Sequence, residues 1–90
     1  MIEIMVEGGA GTAQGQWRSE ASGQVVLALD RAYAPGAPLT IRACLEGAQV
    51  ALLAKTIGSK KEGEGFAVRA KLLSVTREDR DRIARCFGAP

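Results

Sequence analysis

Pro38-Leu39-Thr40-Ile41-Arg42-Ala43-Cys44-Leu45-Glu46-Gly47 decides the fold. Leu39, Ile41, Ala43 and Leu45 alternate with Thr40, Arg42, Cys44 and Glu46. A period of two sends the first set to one face of a β-strand and the second set to the other. The stretch therefore predicts an antiparallel strand with one buried and one wet face. Glu46-Gly47 marks its end, because glycine reaches positive φ without steric cost. The same alternation recurs outward in both directions. Ile2, Ile4 and Val6 alternate with Glu3, Met5 and Glu7. Val25, Leu27 and Leu29 alternate with Gln24, Val26, Ala28 and Asp30. Phe66, Val68, Ala70 and Leu72 alternate with Ala67, Arg69, Lys71 and Leu73. Thr12 to Glu20 sets Ala13, Gly15 and Trp17 against Gln14, Gln16, Arg18 and Glu20. Gln49 to Ile57 is apolar on both faces, which predicts a strand covered on its second side by a helix.

Gly8 to Gly11, Ser22-Gly23, Ala34-Pro35-Gly36-Ala37-Pro38, Glu46-Gly47 and Gly58 to Gly65 separate these stretches as turns. About six short strands at regular spacing predict a mainly β fold, a small six-stranded antiparallel β-barrel. The end of the chain differs. Thr76 can cap a helix over residues 77–87, with Asp79 three positions on in the capping-box place. Glu78 and Asp79 in the first turn and Arg85 in the last suit the helix dipole. Glu78–Arg82 and Asp81–Arg85 have i,i+4 spacing, and Gly88 is a natural stop. Ile83, Cys86 and Phe87 form a narrow apolar edge for docking on the mouth or flank of the barrel.

A chain of 90 residues is expected to be a single domain, 1–90, with a thin core. The net charge of +2 is too small to mark a dedicated nucleic-acid binder. No apolar run approaches the ~20 residues of a membrane span, and the first residues carry Glu3 and Glu7 instead of a basic leader. The expectation is a cytoplasmic protein with no membrane insertion, in which Cys44 and Cys86 stay reduced. Histidine is absent, so the commonest general base is missing and no Ser–His or Cys–His pair can form. Two distant thiols without histidine make a poor metal site. The composition thus points to a non-enzyme with no cofactor and no metal.

The glycine runs do not match phosphate cradles. Gly9-Ala10-Gly11-Thr12-Ala13-Gln14 lacks a third glycine, and Glu64 stands where a phosphate-binding lysine belongs after Gly58 and Gly63. If Gly58 to Gly65 closes a hairpin, Lys55 lies near Arg69, with Lys71 beside them and Lys60 and Lys61 at the tip. That basic stripe can meet phosphate or an acidic partner, or it can serve to keep an exposed edge from pairing. Trp17 is expected in the core, and Tyr33 beside Pro35 is expected to pack a turn.

The order of parts from Gly23 to Phe87 resembles the PilZ family. The resemblance rests on the strand Gly23 to Leu29, the Ala34-Pro35-Gly36 turn, the strand pair Pro38 to Ile57, and the strand Phe66 to Leu73. Ser74-Val75-Thr76-Arg77-Glu78-Asp79-Arg80-Asp81-Arg82-Ile83 is similar to the start of the family's terminal helix. The resemblance implies a six-stranded split barrel with one C-terminal helix and, in many members, recognition of cyclic di-GMP. Members do this with Arg-x-x-x-Arg in a leading segment and Asp/Asn-x-Ser-x-x-Gly on the next strand. The second motif would fall on Arg18-Ser19-Glu20-Ala21-Ser22-Gly23, where only Gly23 agrees. Arg18 replaces the acid or amide, Glu20 replaces the serine, and no arginine precedes Arg18 in this sequence. A carboxylate where a phosphate should sit opposes binding, and arginine forks suited to guanine and phosphate are missing.

The expectation is therefore a degenerate PilZ-like adaptor that binds a protein in bacterial motility, type IV pilus assembly or signalling, as a monomer or homodimer. One alternative is a cyclic di-GMP receptor with a non-standard site. Another is a small nucleic-acid-binding β-barrel. The candidate ligand- or partner-binding residues are Arg18, Glu20, Lys55, Arg69 and Lys71.

Overall fold

The structure is a computed structural model and describes residues 2–9 and 11–87. Six strands precede one helix: β1 (Ile2–Gly8), β2 (Gly11–Ala21), β3 (Gln24–Leu29), β4 (Pro38–Leu45), β5 (Ala48–Glu62), β6 (Gly65–Ser74) and α1 (Arg77–Cys86). The strands close a barrel in the order β1-β2-β3-β6-β5-β4, antiparallel at every seam. The predicted alternation becomes the wall. Leu39, Ile41, Ala43 and Leu45 point into the core, as do Ile4, Val6, Val25, Leu27, Val68 and Ala70. Each fully buried aliphatic side chain of this size contributes about 1.5–3 kcal/mol of transfer free energy. The wall is drawn in tightest at Gly15, where a Cβ would lie 1.9 Å from the carbonyl oxygen of Ala28 on β3. The core is otherwise dry of orphans. Among the described residues only the Thr56 hydroxyl is a buried side-chain polar atom without a partner.

Both mouths of the barrel are stopped. At one, Trp17 is fully buried and its indole N–H donates to the Ser19 carbonyl, 2.9 Å away, across a bulge that makes Arg18 an extra residue in β2. Helix α1 lies over that mouth. Ile83 is buried there, and the Phe87 ring sits 5.0 Å from Trp17 in a tilted pair. At the other, buried Tyr33 bonds the Gly11 carbonyl through its hydroxyl, while its backbone bonds Ser59. Burial pushes the Tyr33 phenol above its ordinary value.

Thr76 caps α1 as expected, its hydroxyl accepting from the Asp79 N–H at 3.1 Å. The Glu78–Arg82 pair also forms, and Arg82 reaches Asp79 as well. The helix ends at Cys86 with Phe87 as its cap; Gly88, the expected stop, lies outside the described residues.

Four expectations are corrected. The helix does not cover the second face of β5. Its apolar edge is short and serves the barrel mouth, so Leu53 is left 53% exposed on the outer face of β5. Gly58 to Gly65 is not a turn: β5 runs on to Glu62, and only Gly63-Glu64 turns the chain. Arg85 does not pair with Asp81 but clamps Glu46 in the β4–β5 turn, with contacts of 2.7, 2.9 and 3.0 Å. Cys86 faces solvent instead of the core.

Candidate functional site

The β2–β3 hairpin carries the first two candidate residues. Ala21 pairs with Gln24, and Ser22 and Gly23 between them take φ of 53° and 83°. Two positive φ values in a two-residue connection match the right-handed twist of the strands it joins. Glu20 completes the turn, because its Oε2 accepts from the Gly23 N–H at 2.8 Å. Arg18, pushed out by the bulge, donates to Glu62 Oε1 at 2.8 Å, which ties β2 to the end of β5. Arg18 and Glu20 are thus each engaged inside the chain. The structure does not bring them together with the lysines into one cluster.

The other three residues share the outer face of β5–β6. Lys55 stands directly opposite Lys71, not Arg69 as expected. A bulge between Thr56 and Gly58 moves the register by one, so Arg69 faces Gly58. All three are exposed, and none has a carboxylate within 4.0 Å among the described residues. Like charges placed opposite each other across a ladder destabilise the sheet. Lys61, farther along β5, lies over the Phe66 ring at 5.9 Å from its centre.

Sequence reasoning missed what adjoins these lysines. A groove of about 410 Å³ crosses the outside of the barrel, walled by Glu7, Pro38, Thr40, Leu53 and Leu73. Leu53 and Leu73, 53% and 57% exposed, form its apolar side. Pro38 pairs with Lys55, so the groove runs into the basic row Pro38–Lys55–Lys71. The signal was present in Leu53 and Leu73, which stand at outward positions of their strands, but assigning the helix to that face concealed it. A second, wider depression over β1, β2, β4 and β5 is lined by Glu3, Met5, Gln14, Gln16, Arg42 and Cys44. Of its two charged residues, Arg42 pairs with Glu7. Among the described residues no three His, Cys, Asp or Glu side chains gather where one metal ion would sit. No described helix is long and apolar enough to cross a membrane.

No family model and no curated protein matches this sequence. Among solved structures, the crystal structure of the PilZ domain of CeSA from a cellulose-synthesizing bacterium is similar. Its TM-score is 0.64 at 17% identity, over 97% of this chain and 89% of that one. The chain therefore has a PilZ-like fold.

Proposed function

We propose that this chain is a non-catalytic PilZ-like adaptor that binds a protein partner and does not read cyclic di-GMP through the usual motifs. The observation that carries the reading is the β2–β3 hairpin. There the Gly23 N–H, a donor an anion would need, is occupied by the Glu20 carboxylate, and Arg18 is occupied by Glu62. An incoming phosphate would have to displace a charge-assisted hydrogen bond and then face the freed carboxylate. The exposed Leu53, Leu73, Lys55, Arg69 and Lys71 supply the kind of mixed surface through which a protein is bound. Work in bacterial motility, pilus assembly or signalling, in the cytoplasm and as a monomer or homodimer, is the setting that goes with this reading.

Calorimetric titration with cyclic di-GMP, with GTP as control, tests it. The adaptor reading expects no heat of binding, and specific micromolar binding overturns it. One observation favours a second reading, that of a receptor with a displaced site: Lys55, Arg69 and Lys71 are near one another and have no ion pair among the described residues. Under that reading binding disappears when the three become alanine. If the same face took nucleic acid, retention on oligonucleotides would fall steeply with salt.

A further inference from the structure

The groove and the basic row form one surface, and its chemistry selects the partner. Two of the strands that carry the groove are already hydrogen-bonded on both flanks: β4 lies between β1 and β5, and β5 lies between β4 and β6 over residues 53–55. A partner strand therefore finds no free backbone edge on β4 or β5, which rules out strand addition at the floor of the groove. Binding must use side chains. The groove is concave and walled by Pro38, Leu53 and Leu73, so it receives an apolar side chain. A flat lipid surface would instead call for protruding apolar groups, and a phosphate backbone for none. Glu7, the acidic wall residue, is neutralised by Arg42. Lys55 and Lys71 have no carboxylate in reach among the described residues, and they stand opposite each other across the β5–β6 ladder beside the apolar wall. An incoming carboxylate between them would relieve their repulsion, so charge complementarity specifies an acidic partner.

We propose that this surface docks an amphipathic acidic helix of the partner protein, with aliphatic side chains in the groove and Asp or Glu over Lys55 and Lys71. The helix-in-groove mode needs apolar anchors at i, i+3 or i+4 and i+7 on one face, with carboxylates flanking them. This deepens the adaptor reading and rests on it.

The test is a titration of the isotope-labelled chain, followed by amide NMR shifts. The probe is a synthetic helix of about 16 residues, long enough to be helical in water, with leucine anchors and glutamate flanks. Shifts are expected at residues 39–40, 53–55 and 71–73. Affinity should weaken at least tenfold in Lys55→Glu/Lys71→Glu and in Leu53→Ser/Leu73→Ser, with melting temperatures retained because all four positions are exposed. The same peptide with lysine in place of glutamate should not bind. Equal affinity in both double variants, shifts mapping elsewhere, or no binding at about 1 mM peptide overturns the proposal. So does tighter binding to phosphatidylserine vesicles or to an oligonucleotide. If the cyclic di-GMP titration stays silent while the peptide fails, only this docking surface falls. If cyclic di-GMP binds, the adaptor reading falls with it.

Discussion

The β2–β3 hairpin and the outer face of β5–β6 both carry exposed charges, but the two handle them in opposite ways. In the hairpin each charge has an answer within the chain: Glu20 holds the Gly23 N–H and Arg18 holds Glu62. On β5–β6, Lys55 and Lys71 face each other with no carboxylate within reach among the described residues. A satisfied charge stabilises a turn. An unsatisfied pair costs stability, and on β5–β6 it stands beside two exposed leucines.

The harshest way to break the contrast is to remove what holds the hairpin side in place. Trp17→Ala empties the mouth under Phe87 and frees the bulge that aims Arg18. The expected loss is about 3–5 kcal/mol in urea unfolding. A loss below about 1 kcal/mol would mean that the bulge stands without the indole. Glu20→Ala should cost about 1 kcal/mol, because the Gly23 N–H loses its partner, while Glu20→Gln should cost less than half of that by keeping an acceptor.

Charge reversal sharpens the comparison, because the two regions should answer with opposite signs. Lys71→Glu turns a like pair into an opposite pair and should raise stability by about 0.5 kcal/mol. Glu62→Lys should lower it by a similar amount, about 0.5 kcal/mol, by stranding Arg18. Added salt should shrink both effects. Equal signs from thermal melts would erase the distinction between the regions.

The smallest effect lies at the helix, a third way of treating charge. The hydrogen bond from Arg85 holds the Glu46 carboxyl below its ordinary 4.5. A depressed carboxyl supports the folded state above its unfolded pKa and loses that support as pH falls through the folded one. Acid should therefore loosen the clamp before the barrel melts. The near-ultraviolet circular dichroism of the Trp17–Phe87 pair would follow it, and Glu46→Gln should flatten the pH dependence.

Much of the barrel was legible because strand alternation is a local code. Leu39, Ile41, Ala43 and Leu45 had to share a face whatever they met. The Thr76 cap was legible for the same reason, as a hydroxyl and an N–H three residues apart on one chain segment. Candidate charges could be named, but not their state. Nothing near Arg18 in sequence announces Glu62, and nothing near Arg85 announces Glu46. The i,i+4 rule offered Asp81 for Arg85, yet the bidentate clamp on the β4–β5 turn won, since a guanidinium fork fits one carboxylate on two sides.

By itself the sequence determined which residues face inward, where β2 and β4 end, and that a capped helix follows the last strand. These depend on period, turn chemistry and caps, all of which act over a few residues. Only the tertiary structure decided that β5 continues through Gly58 to Glu62, that a bulge pairs Lys55 with Lys71, and that the helix stops a mouth and leaves Leu53 and Leu73 bare. Register and coverage are properties of the closed barrel: a bulge shifts every later pair by one, and a short helix with one apolar edge can cover only one place.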